Sequence, residues 1–129
     1  MIKAYKIYTG ADGHTHIAEG TVTENQLFTA ESIRFKETPA HSVYEWHTAP
    51  AIQYVLTLTG TLEFETFSGK TFVLKPGEVL IAMDVTGSGH KWKLIDDQPW
   101  KRAYITFDPG KEINFVEDAQ LSPKAAKRK

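Results

Sequence analysis

Apolar and polar residues alternate along much of this chain with a period of two, which is the period of strands. The clearest run is Thr57-Leu58-Thr59-Gly60-Thr61-Leu62-Glu63-Phe64-Glu65-Thr66-Phe67. It is rich in Thr and Phe, which suit a pleated, half-buried surface. Ser68-Gly69 reads as a hairpin tip and Lys70 to Leu74 as the returning strand. Lys75-Pro76-Gly77-Glu78 is a turn in which Pro fixes φ and Gly supplies a positive one. Further strands are predicted over Val79 to Met83, His90 to Ile95 and Trp100 to Phe107. The flexible loop Thr86-Gly87-Ser88-Gly89 and the turn Asp96-Asp97-Gln98-Pro99 separate them. Upstream, strands are expected near Ala4 to Thr9, Ile17 to Thr23, Ser32 to Lys36, and Val43 to Leu58 with a kink at Pro50. One short helical candidate lies near Glu117 to Leu121. About ten short strands with regular turn signals predict an all-β sandwich or barrel. The pattern gives one domain over residues 1–115 and an extension over 116–129, with no internal repeat.

Composition narrows the chemistry. The 129 residues include no cysteine, so disulfides, thiolate metal sites and Cys nucleophiles fall away. Any metal must be held by imidazole, carboxylate or amide groups. Three Trp, five Tyr and seven Phe supply a large apolar area for a barrel core and for a subunit contact. The formal net charge is −1, which argues against a dedicated nucleic-acid binder. That charge is unevenly spread: Lys124, Lys127, Arg128 and Lys129 form a basic tail, expected to be disordered, on an acidic body. No stretch approaches about 18 apolar residues and Met1 to Lys6 show no apolar run, so neither a membrane-spanning helix nor export is expected. The expected location is the cytoplasm.

The candidate chemistry lies in the histidines. In His41-Ser42-Val43-Tyr44-Glu45-Trp46-His47, a continuous strand would turn residues 41, 43, 45 and 47 to one face. Glu45 and His47 could then converge on one ion. After Pro50, Gln53 heads the run Gln53-Tyr54-Val55-Leu56, and an amide there is expected to face a cavity with partners. His90 stands at the mouth of a strand after the glycine-bearing loop. His41 is either a partner or base for this set or an exposed strand-end residue. His14 and His16 follow a hairpin tip, Ala11-Asp12-Gly13, and His16 is expected to pack inward.

These segments resemble the two motifs of the cupin superfamily. Glu45-x-His47 stands at the first motif's His-x-His, Gln53 at its Glu, and Gly60 at its closing Gly, while Pro39 replaces the opening Gly. Gly77 opens the second motif and Gly87-Ser88-Gly89-His90 closes it, two residues longer than the pattern, with Leu94 in place of the final Asn. Asp12-Gly13-x-x-His16, Trp46-His47-x-Ala49-Pro50-x-x-Gln53-Tyr54 and Asp84-x-Thr86-Gly87-x-Gly89-His90 are similar to a set of small bacterial single-domain cupins without an assigned function. The resemblance implies a double-stranded β-helix, or jelly-roll, barrel with a short C-terminal helix or tail, often paired as a homodimer. It also implies a divalent metal (Fe, Mn, Ni or Zn) on Glu45, His47, Gln53 and His90. Beside such a metal, Glu45 or His41 is the candidate proton shuttle.

Two functional readings follow. One is a metal-dependent enzyme of isomerase, lyase or dioxygenase type acting on a small oxygenated molecule. The other is a binding or sensing module that holds a small ligand without metal, against an apolar lining from Val55, Leu80 or Trp92.

Overall fold

The computed structural model describes residues 1–119. Eleven strands and no helix occur among them: β1 (Ile2–Thr9), β2 (Thr15–Val22), β3 (Ser32–Thr38), β4 (Val43–His47), β5 (Gln53–Thr59), β6 (Leu62–Thr66), β7 (Thr71–Leu74), β8 (Val79–Met83), β9 (His90–Leu94), β10 (Trp100–Thr106) and β11 (Val116–Glu117). They form a seven-stranded sheet in the order β11-β2-β1-β8-β5-β10-β3 and a four-stranded sheet in the order β4-β9-β6-β7. The architecture is therefore an all-β, two-sheet barrel sandwich. No helix among the described residues is long and apolar enough to cross a membrane.

The chain changes sheet at the residues that interrupt its alternation. The predicted run from Thr57 to Phe67 is two strands, because Gly60 adopts φ 94° and carries β5 of one sheet into β6 of the other. A side chain at Gly60 would press on the Pro99 carbonyl and the Trp100 backbone. Pro50 marks a second crossing, between β4 and β5.

Two apolar layers result. Ile7, Val55, Leu62, Phe64, Leu80 and Trp92 pack between the sheets. Tyr54, Val79, Ile81 and Phe107 form a second cluster, covered by Phe28, Ile52, Ile113 and Phe115. Alternate residues of β5 and β8 feed the two layers, so the middle of the large sheet is buried on both faces.

The helix expected near Glu117 to Leu121 does not start where predicted. Val116 and Glu117 instead pair with Thr21 and Gly20 of β2. Strand pairing there satisfies part of the open edge of β2. Gly20 makes this fit, since a Cβ there would meet the Val116 carbonyl and the Phe115 ring. The rest of that candidate, and the basic tail, lie outside the described residues.

Candidate functional site

A cavity of about 480 Å³ opens between the two sheets. His47, Gln53 and His90 all line it, and so do Val55, Leu80 and Trp92. The expected apolar lining and three of the four expected ligand positions therefore share one space.

His90 is held from behind by a buried carboxylate. Its Nδ1 donates to Asp84 Oδ2 at 2.5 Å, and the Thr15 hydroxyl donates to the same oxygen at 2.8 Å. Asp84 is fully buried, and its Oδ1 has no partner among the described residues. The Asp84 backbone carbonyl accepts from the Ala49 N–H at 3.0 Å, which ties the segment after β4 to the same point. His47 is oriented by its own strand: Nδ1 donates to the Glu45 carbonyl at 2.7 Å. A carbonyl can only accept, so Nδ1 carries the hydrogen and Nε2 is left with its lone pair. The two imidazoles lie 4.4 Å apart between ring centroids, and Tyr44 stacks on His47 at 3.9 Å. Burial lowers the His47 pKa from its usual 6.5, the Glu45 carbonyl opposes this, and the neighbouring His90 adds to the lowering. His47 is therefore neutral at pH 7.

Glycine fixes the spacing between the two rings. Gly89 adopts φ 72°, and a Cβ there would collide with the His47 carbonyl. Gly87 sits as closely against the Gly13 carbonyl. The loop expected to be flexible is in fact clamped: the Ser88 N–H donates to the Gly13 carbonyl at 3.0 Å.

Glu45 lies elsewhere. In the pairing of β4 with β9, Tyr44 faces Trp92 and His47 faces His90, so three steps on one strand match two on the other. This is a β-bulge. It puts Tyr44 and His47 together on the cavity side and turns Glu45 away, where it lines a separate groove with Glu63, Glu65, Lys91 and Lys93. The two-residue spacing does not bring the Glu45 carboxylate beside the His47 ring. His41 is exposed, in the turn before β4 with φ 66°, and its Nε2 lies 3.0 Å from Asp97 Oδ1. It is not part of the cavity wall. Among the described residues no group of three or more His, Asp or Glu is arranged around a common point for a metal.

His16 does not pack inward. It is exposed and bonded to both carboxylate oxygens of Asp12 at 3.0 Å. The inward residue is Thr15, which reaches Asp84, while His14 stacks on Phe67 at 4.8 Å. β2 begins at Thr15, two residues before the expected Ile17, and alternation from there puts Thr15 on the inward face and His16 on the outward one.

The cavity's opposite wall carries residues that spacing alone did not single out. Arg34, Lys36 and Thr38 of β3 pair with Tyr104, Arg102 and Trp100 of β10, and all six line the cavity. Arg102 is 2% exposed. Its guanidinium stacks on the Trp100 ring at 3.8 Å and donates to the Tyr104 hydroxyl, the Thr38 hydroxyl and the Trp100 carbonyl. Gln53 is 4% exposed, and its side-chain amide has no protein partner among the described residues. No family model matches the chain, and no curated protein matches it.

Proposed function

We propose that this protein is a cupin whose barrel takes up a small oxygenated molecule beside the imidazoles of His47 and His90. One observation carries the reading. Both rings have Nδ1 tied to a protein oxygen, which leaves Nε2 of each unbonded to protein, and both rings line one cavity. Imidazoles that hold a metal are commonly fixed in this way by a carboxylate or a carbonyl.

The imidazole nitrogens of His47 and His90 and the Gln53 amide oxygen would hold a divalent ion. When bound, such an ion supplies Lewis-acid polarisation of a carbonyl or carboxylate. The chain's own residues do the rest. Asp84 and Thr15 keep His90 in one tautomer, and the Glu45 carbonyl does so for His47. Trp92, Val55 and Leu80 exclude water from the apolar side.

A second reading, a metal-free binding or sensing module, draws support from the outward position of Glu45, which leaves the imidazole end without a carboxylate donor. Metal analysis by mass spectrometry separates the two. Stoichiometric Fe, Mn, Ni or Zn in the purified protein, lost in both His47→Ala and His90→Ala, supports the metal site. Absence of bound metal after loading with each of the four leaves the binding module.

A further inference from the structure

We infer that the cavity selects a small carboxylate, held by Arg102 with Lys36 and Arg34 on the same wall. This rests on the reading of the cavity as a small-molecule site, and it names the ligand's charge. Arg102 is almost fully buried, yet each of its three partners is a neutral oxygen. Those bonds occupy Nε and Nη1, and they leave Nη2 without a protein partner among the described residues. A buried guanidinium normally meets a carboxylate or phosphate, because the low-dielectric surroundings penalise an unmatched charge. Here no Asp or Glu is among the cavity's lining residues.

The neighbours repeat the pattern. Lys36 sits directly across from Arg102 in the β3–β10 pairing, and Arg34 lies over the Tyr104 ring at 4.8 Å. Neither has an ion-pair partner among the described residues. Three cations thus share one wall of a chain whose described residues carry about five more acids than bases. Walls of one sign in a low-dielectric cleft focus the field on an incoming ion of opposite sign. Of the three only Arg102 is buried, Arg34 and Lys36 being exposed and water-screened, so the one desolvated positive charge favours a carboxylate monoanion over a phosphate dianion. Trp92, Trp100 and Phe64 form an aromatic floor beside it, suited to the flat, apolar part of the same molecule.

Trp92 and Trp100 also make the test direct, because both line the cavity and their fluorescence reports its occupant. The full chain, stripped of metal with chelator, is titrated with benzoate, its neutral isostere benzamide, and phenyl phosphate. Benzoate is expected to bind saturably and at least about tenfold more tightly than benzamide. Arg102→Met is expected to remove that preference while leaving the fold intact. If Arg102→Met does not fold, the exposed pair Arg34→Met and Lys36→Met takes its place and is expected to weaken benzoate by about threefold to tenfold.

Equal affinity for benzoate and benzamide, or no saturable binding of either, overturns the inference. So does an undiminished preference in a folded Arg102→Met or, where that variant does not fold, in the double variant. Tighter binding of phenyl phosphate overturns the carboxylate assignment. Because the protein is metal-free throughout, a failed metal site and a failed anion wall give separate results.

Discussion

At the scale of single residues, the cavity has two ends of different character. One is a pair of imidazoles with hydrogen-bonded backs, the other a guanidinium with no countercharge. Burial lowers the pKa of both His47 and Arg102, but Arg102 starts so high that it stays charged while His47 becomes neutral. For His47 the folded value lies below the unfolded one, so the unfolded chain binds more protons in the window just below pH 6.5. Stability is then full above that window and falls as the pH drops through it. The urea midpoint, followed from pH 7.5 to 5.5, is expected to decline more steeply for the wild type than for His47→Gln. Identical slopes would show that His47 does not contribute.

At the scale of elements, the bulge in β4 decides which side chains meet. Strict alternation from His41 to His47 puts Glu45 and His47 on one face, and nothing in Tyr44-Glu45-Trp46 announces a break, since neither Gly nor Pro is present. The break accompanies a distant contact, Gly89 against the His47 backbone, which sequence spacing cannot express. Glu45→Gln is accordingly expected to change stability by less than about 0.5 kcal/mol and to leave cavity binding unaltered. Loss of bound metal or of benzoate titration in that variant would reverse this placement. His47, Gln53 and His90 were readable because each interrupts an apolar stretch or closes a glycine loop. Arg34, Lys36 and Arg102 were not, because cations alternating with Ile33, Phe35 and Ala103 read as an ordinary solvent face. What inverts that reading on β10 is the cover that Phe28 and Phe107 give the opposite side of the sheet. The strands were legible almost throughout, whereas the switch of sheet at Gly60 depends on a backbone angle that alternation does not encode.

At the scale of the whole molecule, β3 is the edge of the large sheet, with cavity-lining cations on one face and uncovered apolar residues on the other. Ile33 and Phe35 are 59% and 70% exposed there. An open edge with exposed apolar side chains is a contact surface for another strand edge, so pairing of two copies, expected from the sequence, is predicted to run through β3. Light scattering on the wild type is expected to give twice the chain mass, and Phe35→Glu to give the single-chain mass. A wild type that runs at single-chain mass counts against pairing. Asp84 has a different consequence, one of timing. Its carboxylate and carbonyl draw Thr15, 69 residues away along the chain, and Ala49 to the loop that leads into His90. The Thr15 and Ala49 contacts and the pairing of His47 with His90 cannot form inside a local hairpin, so the imidazole pair cannot be pre-assembled in a partly folded chain. The pocket is among the last features to appear during refolding, and any excursion that frees the first hairpin dismantles it.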